Sequence, residues 1–139
     1  KQRWPATEAV EVSDRTGPNE LDLVRALAAK SDALIVGIFV RSSSGSGRLD
    51  LSPPVVRLLQ DLARASERRS QPMVALFFGS PYAAMAVADL PAMLLTYDFS
   101  DWAERAAVKA LAGEIPIGGK LPVALPGLFQ IGHGLDRRR

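Results

Sequence analysis

The run Ala33-Leu-Ile-Val-Gly-Ile-Phe-Val40 has no charged or hydrogen-bonding side chain, and most of its residues are β-branched or aromatic. A strand with one wet face alternates apolar and polar residues. One that is apolar throughout belongs to a parallel sheet whose two faces are both covered by helices. Met73–Phe78 repeats the pattern. Two such runs, with helical periodicity between them, restrict the chain to an α/β architecture built from right-handed crossovers.

The other elements follow from local signals. Ala9–Ser13 reads as a short first strand. Gly17-Pro18 opens a helix with Leu21, Val24 and Ala28 on its apolar face, ending near Lys30. Ser52-Pro53 is a second start, a capping hydroxyl before a first-turn proline, followed by Val55, Leu58, Leu59 and Leu62. Gly79-Ser80-Pro81 starts a short helix that stops before Pro91, and Ala92–Tyr97 reads as a strand. Ser100 can cap the last helix and Gly113 can end it. Lys120–Ala124 reads as an edge strand, because Pro122 cannot donate to a ladder. The expectation is a three-layer α/β/α sandwich, flavodoxin-like, with a mostly parallel sheet and an edge strand near the C-terminus.

The 139 residues suit one domain, with a core over 9–125 and a tail over 126–139. Lys1-Gln2-Arg3-Trp4-Pro5 reads as a cut made inside a longer protein, so the segment is expected to be a C-terminal fragment. There is no cysteine and one histidine, which excludes disulfides and a multi-histidine metal site within the chain. Seventeen basic against fifteen acidic residues give a net charge of +2, and the few aromatics do not interleave with basic clusters. That argues against a nucleic-acid partner. The longest apolar run is far short of the ~20 residues that span a bilayer. No cofactor fingerprint follows any strand: the Ser/Gly stretch after Val40 lacks the Walker spacing, and G-x-G-x-x-G is absent.

Ligands of open parallel sheets bind beyond the carboxyl ends of the strands. That edge selects Asp14, Arg41 with Ser42 to Gly47 (Ser44 among them), Gly79-Ser80-Pro81-Tyr82, and Asp98 with Phe99-Ser100-Asp101. Glycoside cleavage needs two carboxyl groups flanking the bond. Only Asp14, Asp98 and Asp101, with Asp50 as an outsider, have suitable positions. Asp101 falls in a first helical turn, where an acid has a structural role. Ser80 lacks the G-x-S-x-G elbow and stands beside a proline, so a helix start suits it better than a nucleophile.

Three motifs occur in order: Gly79-Ser80-Pro81-Tyr82, Gly113-Glu-Ile-Pro-Ile-Gly-Gly-Lys-Leu-Pro-Val123 and Gly132-His133-Gly134-Leu135. With them, from about Ser31 to Leu135, the chain resembles the C-terminal α/β domain of glycoside hydrolase family 3, in its β-N-acetylhexosaminidase-like branch. The resemblance implies a domain that packs on an N-terminal catalytic β/α barrel of the same polypeptide and meets the carbohydrate substrate through it. In that branch the nucleophile and the acid/base pair lie on the barrel, whose Lys-His-Phe-Pro-Gly type motif does not occur here. Neither Glu104 nor Glu114 sits at a strand end, as an acid/base glutamate of the β-glucosidase relatives would. The expected role is a segment that is not catalytic alone, without cofactor or metal. Arg41, Ser42, Ser44, Gly79, Ser80, Tyr82 and Asp98 are its candidates for substrate lining or domain contact. The resemblance also implies a bacterial periplasmic or secreted setting rather than a cytoplasmic one. The competing reading is a free-standing flavodoxin-like module that binds a small ligand; a scaffolding relative of the same family is a third.

Overall fold

β2 (Met73–Gly79) is the centre of the molecule, hydrogen-bonded on both edges and packed on both faces. The computed structural model describes residues 3–40 and 51–138. On one edge of β2 lies β1 (Leu34–Val40), parallel and in register with it from Leu34 opposite Met73 to Val40 opposite Gly79. On the other edge lies the short β3 (Met93–Leu95), also parallel, with Ala75 opposite Met93. The sheet order is β1-β2-β3.

Side chains of a strand alternate between its faces, and β2 uses both. Met73, Ala75 and Phe77 face a large core with α1 (Pro18–Ala28), α2 (Pro53–Arg68) and the 3-10 helix Pro81–Val87. Leu76 and Phe78 face a smaller one with α3 (Asp101–Leu111), whose Ala107 is buried and whose Ala103 and Leu111 pack alongside. Helices on both faces of a parallel sheet make the expected α/β fold in three layers. Among the described residues, no helix is long and apolar enough to cross a membrane.

The helix starts follow their sequence signals, with one correction. Glu20 accepts a 2.8 Å hydrogen bond from the Gly17 N–H at the start of α1. The Ser52 hydroxyl, expected to cap α2, makes no cap bond, and its oxygen is buried without a partner. Both Pro53 and Pro54 sit in the first turn. A cap side chain accepts from the second or third helical N–H, and Pro54 has none to give. The far end of this layer is tied by Gln71, whose amide donates to the carbonyls of Ala28 at 2.9 Å and Ser31 at 2.5 Å.

Two expected strands do not form. Ala9–Ser13 is not a strand, although Val12 packs against the large core. Lys120–Ala124 does not join the sheet. It pairs with its own downstream chain, through Leu121 N–H to the His133 carbonyl and Gly132 N–H to the Leu121 carbonyl, both 2.8 Å. Ile117 and Arg137 form a further antiparallel bridge. Leu121 and Leu125 are buried in the large core, so this lobe is anchored by side chains rather than by a ladder.

Candidate functional site

The carboxyl edge of the sheet is assembled around Gly79. Its φ is +93°, a left-handed conformation that a side chain disfavours. A Cβ there would lie 2.4 Å from the Val40 carbonyl oxygen and 3.2 Å from the Phe99 ring. The ends of β1 and β2 and the loop after β3 therefore meet at one point, and only glycine permits the approach.

The loop after β3 is built by its own polar groups. The Thr96 hydroxyl lies 3.1 Å from the Phe77 carbonyl oxygen and 2.8 Å from that of Asp98. Asp98 Oδ1 accepts from the N–H groups of Phe99 at 2.7 Å and Ser100 at 3.2 Å, and Oδ2 accepts from the Ser100 hydroxyl at 2.6 Å. Ser100 Oγ in turn accepts from Ala103 N–H at 3.4 Å and caps α3. The Ser100 hydroxyl, then the Phe99 N–H, hold the Asp98 carboxyl below its ordinary range. An ionised acceptor spent on a turn is a poor proton donor, so Asp98 orders the loop rather than serving as a general acid.

That loop projects aromatic side chains. Tyr97 has a positive φ of 61°, and burial pushes its phenol up. Non-glycine residues in this region cost on the order of 1–3 kcal/mol and cluster at functional segments. Tyr97, Phe99 and Trp102 are exposed, Trp102 at 78%. The Arg105 guanidinium lies 5.7 Å from the centre of the Trp102 ring. Tyr82, just past Ser80, is exposed at the same end of the sheet, and Phe39 near the end of β1 stacks on Phe78 at 4.6 Å.

Of the sequence candidates, Gly79, Ser80, Tyr82 and Asp98 come together at this edge. Ser80 precedes the 3-10 helix without a side-chain cap bond. Arg41, Ser42, Ser44 and Asp50 lie outside the described residues. Asp14 sits in a turn closed by Ser13 and Thr16, before α1. Among the described residues, no group of three or more His, Asp or Glu side chains could hold a metal ion.

Tyr97 and Trp102 were absent from the sequence candidates, and Phe99 entered only beside Asp98. The signal was present in Tyr97-Asp-Phe-Ser-Asp-Trp102, where three aromatic residues are interspersed with polar ones at the end of a strand. The structure also joins two motifs that are separate in sequence. A Cβ on Gly134 would lie 2.4 Å from the Gly119 carbonyl oxygen, and Lys120 Nζ donates to the Gly134 carbonyl at 2.7 Å. His133 stacks on Phe129 at 4.1 Å, far in sequence from any acid–serine pair.

Elsewhere, α1 and α2 bound two clefts, of about 300 and 410 Å³. They are lined by Arg25, Arg57, Arg64, Arg68 and Arg69 with Asp22 and Asp61. Asp61 bridges Arg64 at 2.8 Å and Arg25 at 2.9 Å, and these donors, Arg64 first, hold its carboxyl below the ordinary range. Comparison with protein-family models, with curated proteins and with solved structures finds no match to this chain.

Proposed function

We propose that this chain is the C-terminal α/β domain of a β-glycosidase, of β-N-acetylhexosaminidase type. It packs on a catalytic β/α barrel of the same polypeptide and catalyses nothing alone. The observation that carries the reading is the aromatic carboxyl edge, where Tyr82, Tyr97, Phe99 and Trp102 are exposed while Asp98 is committed to its turn. Aromatic rings with few free polar groups suit a contact surface, since Tyr, Trp and Phe are enriched where proteins meet. Their faces also suit the apolar faces of sugar rings. The edge offers stacking and packing, and the proton transfers of hydrolysis are left to the barrel.

The alternative of a free-standing small-ligand module would place its ligand at this same edge.

The test is hydrolysis of an aryl N-acetyl-β-glucosaminide. The purified 139-residue chain is expected to show no turnover. In the longer polypeptide that carries the barrel, Trp102→Ala should raise KM or weaken domain packing without abolishing kcat. Turnover by the isolated chain that is lost in Asp98→Asn would overturn the proposal, as would a reading frame that encodes no barrel.

A further inference from the structure

β1 is as apolar as β2, yet among the described residues it is covered on one face only. Leu34, Val36, Ile38 and Val40 pack into the large core, whereas Ile35 is 48% and Phe39 is 56% exposed on the α3 face. α3 packs against Val74, Leu76, Phe78 and Leu94 of β2 and β3 and leaves β1 bare. The same strand has an open edge. Leu34 N–H donates to Pro72 O, and Val40 O accepts from Ser80 N–H, so alternate residues Leu34 to Val40 turn their backbone toward β2. Ile35, Gly37 and Phe39 turn theirs outward, where among the described residues β1 has no neighbouring strand. Natural edges are guarded by charge, proline, bulges or brevity. Leu34–Val40 has seven residues and none of these guards.

Handedness says what belongs there. The crossovers β1–α2–β2 and β2–Pro81–Val87–β3 lie on one face and step the same way across the sheet. α1 lies on that face and leads into β1. A strand of this sheet that led into α1 by a right-handed connection would lie on the outer side of β1. The chain before α1, Ala9–Ser13, joins no strand ladder. In sheets of order 2-1-3-4-5, the crossover into the third strand skips one position, and the first strand occupies it. The helix between first and second strands lies, by the same rule, on the opposite face. Here that is the α3 face, over Ile35 and Phe39. Arg3 pairs with Glu114, just past α3, at 2.5 Å, so the described chain begins beside that layer.

We infer that the outer edge and bare face of β1 receive a strand–helix unit from the polypeptide leading into Arg3. Its apolar strand runs parallel to β1, and its helix sets an apolar stripe on Ile35 and Phe39. A second copy pairing edge to edge would satisfy the backbone of β1 but bring no helix to these side chains. This inference is independent of the glycosidase reading.

The test compares amide hydrogen exchange in the 139-residue chain and in the chain extended by the about 40 residues encoded before Lys1, enough for a strand and a crossover helix. The Ile35, Gly37 and Phe39 amides should exchange freely in the first and at least about a hundredfold more slowly in the second. Ile35→Pro removes an outward N–H only, and proline is tolerated on such an edge. It should leave the short chain folded and abolish the added protection at Gly37 and Phe39. Phe39→Lys, which leaves every backbone group in place, should weaken docking through the face. Equal exchange in the two chains would overturn the inference. So would protection of the short chain that rises with its own concentration, or an upstream sequence without an apolar strand and an amphipathic helix.

Discussion

β1 and β2 are two apolar strands of seven residues, paired to each other along their whole length. Phe77 in β2 is 1% exposed, and Phe39 in β1 is 56% exposed. Hydrophobicity alone does not separate them. Neighbours do: among the described residues, β2 has a strand on each edge and a helical layer on each face, whereas β1 has one of each. An apolar run specifies the environment a strand needs, and the surrounding chain decides whether it is supplied.

The widest gap between the strands should appear on removing their aromatic rings. Phe77→Ala is expected to cost about 3–5 kcal/mol, because a buried ring leaves a cavity as well as lost transfer energy. Phe39→Ala should cost about 1 kcal/mol, the scale of its stacking on Phe78. Urea unfolding of both variants checks this, and equal losses would break the comparison.

Glycines sharpen it at a smaller scale. Gly79→Ala puts a Cβ at φ +93° against the Val40 carbonyl. It should lose about 1–2 kcal/mol for the left-handed backbone alone, and more as the strands part. A Cβ at Gly37 would meet only the far edge of the Phe39 ring, at 3.1 Å. That exposed ring can swing aside, so Gly37→Ala should stay within about 0.5 kcal/mol. A thermal melt of each variant separates the two outcomes.

The smallest effect is electrostatic and belongs to the loop that closes over the end of β2. The Asp98 carboxyl is held below its ordinary value of 3.8. Its contribution is fully present above that value and is lost as pH falls through the lower folded-state value. Asp61, held down by Arg64 and Arg25, acts in the same direction. Urea midpoints measured from neutral to strongly acid pH should decline at the acid end. Asp98→Asn should flatten part of that decline, and an unchanged profile would mean that the turn does not depend on the charge.

Much of this fold was legible. The two runs of apolar residues located β1 and β2, and proline with a preceding small residue located the starts of α1, α2 and the Pro81–Val87 helix. What failed was pairing. Ala9–Ser13 and Lys120–Ala124 have strand-like residues, but a ladder is a property of two segments, and neither finds a sheet partner here. Ser52 failed because capping depends on the N–H groups that follow, and Pro54 removes one. Of the site, Gly79 and Asp98 were legible as edge residues. The work of Asp98 was not, since its bonds to Phe99 and Ser100 depend on how the loop folds.

Periodicity, proline geometry and apolar runs act over a few residues, so the α/β class, the parallel strands and the helix starts were written locally. That Gly79 admits no side chain, that Gly134 meets Gly119, and that one face of β1 is bare among the described residues emerged only when the chain was folded. Each is a distance between segments far apart in the chain, and local preference carries no information about such distances.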